Sequence, residues 1–160
     1  MPRRLTSTAG RIARRPTFRR VARRVVPAID RALHRITGGR AHLSDLGAPT
    51  LLLVVHGHRS GTLRRTPLAY VPDGGTWLVV GSNWAQEHHP AWTANLLAAD
   101  TATVEVRGDA VTVRPELLEG PAREEAWATV VAAWPVYEDY QRSVPHRTLR
   151  VFRLVPTVEA

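Results

Sequence analysis

At 160 residues the chain is the length of one domain, and with 44% of its residues apolar it can bury a substantial core. The absence of cysteine excludes a disulfide framework, a thiol nucleophile and thiolate metal ligands, and agrees with a reducing compartment. The net charge of +8 is lopsided: residues 1–40 hold twelve Arg and one acid, Asp30, for +11, which leaves the remainder at −3, so nucleic-acid binding would rest on that arm alone and is not expected.

The arm has its own pattern. Phe18, Val21, Ala22, Val25, Ile29, Leu33 and Ile36 recur at spacings of three and four, with arginines largely between them, which predicts a basic amphipathic helix. Pro16 suits a first helical turn, Pro27 divides the pattern into two shorter helices, and Gly38-Gly39 ends the second. Residues 11–36 could therefore lie on an anionic membrane surface, pack on their own domain or form a free arm. No apolar run approaches the roughly 20 residues that span a bilayer, and no uninterrupted secretory h-region is present. The expected location is the cytoplasm, with the inner face of the plasma membrane as the site the arm allows. The expected division is residues 1–41 as arm and 42–160 as domain.

After the arm the pattern changes to short strands, expected near 50–56, 66–72, 76–82, 101–107, 110–118 and 148–155. Asp73-Gly74-Gly75 and Arg107-Gly108-Asp109 read as hairpin turns between successive strands. Helices fit 90–99 and 121–133, the second opening after Gly120-Pro121, and a shorter one fits 137–142. Local hairpins with a few helices suggest an antiparallel barrel of α+β type and not a doubly wound sheet.

Two stretches carry chemistry. Gly57-His58-Arg59-Ser60-Gly61-Thr62-Leu63-Arg64 follows a buried apolar run and combines turn glycines, a hydroxyl and two guanidiniums, a composition suited to phosphate or carboxylate oxygens. A hairpin with a solvated basic turn is the bland alternative. A Walker loop is excluded, because Thr66-Pro67-Leu68-Ala69-Tyr70-Val71 reads as a strand where that motif needs a helix. The second stretch runs from Gly81-Ser82 at a strand end to His88-His89-Pro90-Ala91-Trp92 and Asn95-Leu96 in a helix. It puts a hydroxyl, helix N–H groups and an indole around one concavity. His56, His58, His88 and His89 lack the carboxylates or thiolates that would complete a metal site, so groove lining is the expected role and no metal is expected. Ser82 lacks the frame of a nucleophile elbow.

Taken together, Gly57-His58-Arg59-Ser60-Gly61 with Arg64, then Pro67-Leu68, Ser82, His89-Pro90-Ala91-Trp92 and Asn95-Leu96 resemble the deazaflavin-dependent nitroreductase family. The resemblance runs in order over about residues 42–156, through the aromatic segment Trp134-Pro135-Val136-Tyr137-Glu138-Asp139-Tyr140 and Arg147. It implies a split β-barrel, FMN-binding-like and mainly antiparallel, with flanking helices. It also implies coenzyme F420 in a groove, with hydride passing to a quinone, enone or nitroaromatic acceptor. Carried over by position, His58, Arg59, Ser60, Gly61, Arg64 and Pro67 would meet the cofactor, the charged members at its phosphate and acidic tail. Ser82 would lie near the ring, Ala91 and Trp92 along the groove, and Ala69, Trp134, Tyr137 and Tyr140 on the substrate side. Ser82, Tyr137 and Tyr140 are the catalytic candidates, with either phenol a conceivable proton donor alongside water.

Three departures bear on this. His58 stands where relatives commonly carry Arg, Asn83-Trp84-Ala85 replaces a common glycine pair, and Ala69 stands where some members place Tyr. An FMN-binding split barrel and a non-catalytic deazaflavin or membrane-surface protein are the alternative readings. The oligomeric state is left open.

Overall fold

The computed structural model describes residues 49–157. The expected arm helices and the boundary near residue 41 lie outside the described residues. Seven strands and three helices follow one another: β1 (Thr50–His56), β2 (Leu63–Ala69), β3 (Val71–Asp73), β4 (Thr76–Val80), α1 (Ala91–Leu97), β5 (Ala102–Val106), β6 (Asp109–Leu117), α2 (Gly120–Ala133), α3 (Val136–Ser143) and β7 (Val151–Pro156). A short 3-10 turn, Asn83–Ala85, stands between β4 and α1. No helix among the described residues is long and apolar enough to cross a membrane.

All pairings are antiparallel, in the order β2-β1-β5-β6-β7-β4-β3. The two edge strands, β2 and β3, are consecutive in sequence and separated by Tyr70 alone. Cα atoms on either side of one residue lie at most about 7 Å apart, whereas the edges of a flat seven-stranded sheet would be about 28 Å apart. The sheet must therefore roll until its edges meet, which gives the expected α+β split barrel.

The strand expected at 66–72 is corrected to two, β2 and β3. At Tyr70 the N–H donates to Pro49 O at 3.0 Å, continuing the β1 register by one position, and the chain then passes from pairing with β1 to pairing with β4. Pro67 is tolerated in β2 because an edge strand has unpaired N–H positions to spare. Both two-residue hairpins have the left-handed backbone that type I′ turns require: Gly74 and Gly75 have φ of 54° and 82°, and Arg107 and Gly108 have 52° and 93°.

Period-two alternation sorts the side chains into two cores. Leu51, Leu53 and Val55 of β1, Val104 of β5, Val113 of β6, Phe152 and Leu154 of β7 and Trp92 and Leu96 of α1 fill the first. Leu78 and Val80 of β4, with Leu149, Val151 and the helix residues Ala126, Val130 and Tyr140, form the second beneath α2 and α3. β4 and β7 are thus covered on both faces, which explains their near-continuous apolar sequence. Aromatic packing of Trp92 on Phe152, with centroids 5.9 Å apart, docks α1 onto the first core.

Gly81, directly after β4, lies against Thr93 of α1: a Cβ there would be 2.7 Å from Thr93 Cγ2, so a larger residue would force Thr93 to shift. Its N–H donates to Arg150 O at 2.8 Å, fastening the end of β4 to the chain entering β7.

Candidate cofactor site

The loop after β1 is closed by its own hydrogen bonds. Gly57 N–H donates to Thr62 O at 2.8 Å, Gly61 N–H to Gly57 O at 2.7 Å, and Thr62 N–H to Ser60 Oγ at 3.2 Å. His56 Nδ1 donates to Gly61 O at 2.8 Å. Gly61, at φ 66°, supplies the left-handed corner. Much of the loop's N–H capacity is therefore spent internally, and its attraction for anions rests on side chains. A Cβ on Gly57 would lie 2.8 Å from Ser60 Oγ and 3.6 Å from Arg64 Nε, so Ser60 packs onto Gly57 too closely for a larger residue. Arg59 and Arg64 are exposed, and among the described residues neither has a carboxylate partner, whereas nearby Arg65 is paired with Glu105 at 3.0 Å.

Asn95 ties this loop to α1. Its Oδ1 accepts from His58 N–H at 3.0 Å and from His58 Nδ1 at 2.9 Å. Because a backbone amide only donates, the shared acceptor is the oxygen, and His58 carries its proton on Nδ1. His58 is thus a latch, fixed by the side chain of Asn95, only 8% exposed.

The other end of the same helix approaches the turn after β4. Ser82 N–H bonds Val80 O at 2.9 Å, and Ser82 O accepts from Ala85 N–H at 3.0 Å and from Arg147 Nη2 at 2.8 Å. The Ser82 hydroxyl has no partner among the described residues. The turn that follows is strained, with Asn83 at φ 48° and Ala85 at φ 57°. For a non-glycine residue that conformation costs roughly 1–2 kcal/mol.

Arg147 holds the turn. Its guanidinium makes five hydrogen bonds: Nε to Gln86 O at 3.0 Å, Nη1 to Gly81 O at 3.2 Å and His89 Nδ1 at 3.3 Å, and Nη2 to Ser82 O at 2.8 Å and Gln86 O at 2.7 Å. Arg147 is in turn fixed by α3, where Gln141 donates to Arg147 O at 2.8 Å and accepts from Leu149 N–H at 2.8 Å. Burial, then the neighbouring Arg150 charge, lowers the pKa of Arg147, which still stays charged as arginines in proteins do.

The remaining expected site residues divide into three groups. Ala91 is exposed at the start of α1, whereas Trp92 is 7% exposed and belongs to the first core. Pairing puts Arg64 on the barrel-core face of β2, with Leu68 packed against that core, and Pro67 and Ala69 on the opposite face. Trp134 and Tyr137 are part-buried in the second cluster beside Ala85 of the strained turn, and Tyr140 is 5% exposed. Tyr137 meets Tyr140 edge-on at 6.0 Å. Burial, with Tyr140 as a lesser cause, pushes the Tyr137 phenol well above its ordinary value of 10.0 and makes it a weaker acid still.

The sequence profile of a family described as F420H(2)-dependent quinone reductase matches residues 18–156, beginning at Phe18, the first residue of the arm's apolar pattern. The chain belongs to this family. It is 31% identical over 102 residues to an F420H(2)-dependent quinone reductase of Mycobacterium tuberculosis, an alignment covering 62% of this chain and 68% of that one. Among solved structures, an F420-H2 dependent reductase, FDR-A, superposes with a TM-score of 0.61 at 32% identity, covering 66% of this chain and 93% of the other. A chain described as a domain-swapped dimer gives 0.63 at 29% identity, covering 78% and 94%. The fold is therefore that of these reductases, the chain is an oxidoreductase, and its cofactor is coenzyme F420.

Arg147 requires His89 to be neutral at Nδ1, since a guanidinium only donates. Burial first, then the Arg150 and Arg147 charges, hold the His89 pKa below its ordinary 6.5. A histidine with a depressed folded pKa contributes stability that is present above the unfolded value and is lost as pH falls through 6.5 toward the folded value. The melting temperature is expected to fall with pH in that window. His89→Gln, which offers an amide oxygen that does not titrate, should flatten the fall; an unchanged slope in thermal melts across pH would show that His89 is not its source.

Proposed function

We propose that this chain is a reductase in which the anionic tail of F420 rests on the 57–64 loop and its ring lies beside Ser82, with a quinone as hydride acceptor. The reading is carried by the 57–64 loop, where Arg59 and Arg64 are exposed and lack acidic partners among the described residues. Charge-assisted donors of this kind suit a phosphate and an acidic tail, so the residues fit the cofactor that the family requires. When bound, the reduced deazaflavin supplies a hydride equivalent.

The protein's contribution is to bind, orient and exclude water. Arg59, Ser60 and Arg64 would hold the tail, with His58 and Gly61 shaping the loop. Ala91 would border the groove, Trp92 would back it from the core, and Pro67 is assigned to the cofactor only through the family pattern. The unpartnered Ser82 hydroxyl would donate a hydrogen bond to the ring or to the acceptor's carbonyl oxygen. Trp134 and Tyr137 would wall the acceptor, Tyr140 would buttress Tyr137, and Ala69, smaller than the Tyr of some relatives, would leave that side open. The raised pKa of Tyr137 favours water over this phenol as the source of the acceptor's proton. The family description favours quinones over enones and nitroaromatics.

Titration with F420, followed by cofactor fluorescence, tests the cradle. Arg59→Ala with Arg64→Ala is expected to weaken binding by about 10–100-fold and to reduce its salt dependence. Equal affinity in the double variant, or preferential binding of FMN by the unaltered protein, would overturn the assignment. For the arm, the apolar stripe flanked by arginines supports docking of residues 11–36 on an anionic membrane surface. Full-length protein should then co-sediment with anionic vesicles and a chain lacking residues 1–41 should not; equal recovery would contradict docking.

A further inference from the structure

We propose that Arg147 is a positioning residue for the reductase reaction and that it acts through Ser82, holding the left-handed turn from behind so that the Ser82 hydroxyl keeps its place at the ligand. The inference rests on the reading of Ser82 given above and extends it to a residue from a distant part of the chain.

Ser82 has its N–H committed to Val80 O and its carbonyl committed to Arg147 and Ala85, which leaves the hydroxyl unbonded among the described residues. Where that hydroxyl lies depends on the backbone of the turn, and two of the turn's residues, Asn83 and Ala85, sit in a conformation that non-glycine residues disfavour. Something must over-determine that conformation. The local ties are Ala85 N–H to Ser82 O at 3.0 Å, Gln86 N–H to Asn83 O at 3.1 Å, and Asn83 Nδ2 to His88 O at 2.8 Å and, longer, to Gln86 Oε1 at 3.4 Å. Arg147 adds a carbonyl clamp at Gly81, Ser82 and Gln86, bracketing the strained residues on both sides. Its planar fork is suited to this because it reaches several acceptors in fixed directions, whereas an ammonium is a point charge on a flexible stem.

A residue that served folding alone would affect stability without regard to Ser82. A residue that acts through Ser82 must lose its effect on turnover when the hydroxyl is gone, and a double-mutant cycle separates the two. The cycle combines Arg147→Lys and Ser82→Ala, with F420H2 oxidation by a soluble naphthoquinone as the kinetic readout. Cofactor fluorescence reports F420 affinity, and amide hydrogen exchange reports the turn. Arg147→Lys is expected to lower kcat by about tenfold or more, to change F420 affinity by less than about threefold, and to speed exchange at Ala85 and Gln86 while the strands keep their protection. In the Ser82→Ala background the same substitution should lower kcat by less than about threefold.

Gln141→Ala frees the backbone of Arg147 while leaving its guanidinium, and should give the same pattern at smaller amplitude; it carries the test if Arg147→Lys does not fold. Independent, multiplying losses in the double variant would overturn the proposal, as would faster exchange of the turn with unchanged kcat. If Ser82→Ala alone is silent while Arg147 is intact, the reading of Ser82 fails first and this inference falls with it.

Discussion

The closure of the sheet at Tyr70 is the constraint on which the rest of the structure depends. One residue joins the two edge strands, so a seven-stranded antiparallel sheet has to curl until its first and last members meet. The curl creates an interior, which Leu51, Leu53, Val104, Phe152 and Leu154 fill, and an exterior face on β4 and β7 that needs a second cover from α2 and α3. Both edges of a sheet are liabilities when left open. Here they converge on a buried tyrosine, 7% exposed, whose N–H is satisfied by Pro49 O.

From that frame the site follows as a matter of fastening loops. α1 has only seven residues, yet it anchors both proposed binding segments: Asn95 bonds His58 of the 57–64 loop and Thr93 packs against Gly81 at the head of the Ser82 turn. The far side of the turn is fastened by Arg147, which replaces the carbonyl hydration that a loop leaving a strand would otherwise need. Arg147 is spent on backbone carbonyls, Arg150 on Thr93 Oγ1, Arg65 and Arg153 on carboxylates, and Arg59 and Arg64 have no carboxylate partner among the described residues.

Much of this was legible in the sequence because it is local. The apolar run 51–55, the glycine hairpins and the α2 start at Gly120-Pro121 all depend on neighbours within a few positions. So does the closed 57–64 loop, whose members span eight residues. The break at Tyr70 was not legible, since Thr66 to Pro72 reads as one strand until the pairing partners of its two halves are known. Asn95 carried a weak signal, as a polar residue on the face of α1 that also buries Trp92 and Leu96. Arg147 matched the family pattern, but its role was not legible: its acceptors lie 58 to 66 positions away, and no pattern around Pro145-His146-Arg147 announces them. The aromatic segment was ambiguous for a different reason. A helix that buries Tyr140 and half-buries Tyr137 has the same spacing whether its phenols face a ligand or a core.

The proposed function requires the 57–64 loop and the Ser82 turn to belong to the same ligand. A crystal structure of the protein with F420 bound tests it most directly. The account predicts the phosphate within hydrogen-bonding distance of Arg59 or Arg64 and the deazaflavin ring in contact with Ser82. A tail bound away from the 57–64 loop, or a ring out of reach of Ser82, would contradict it.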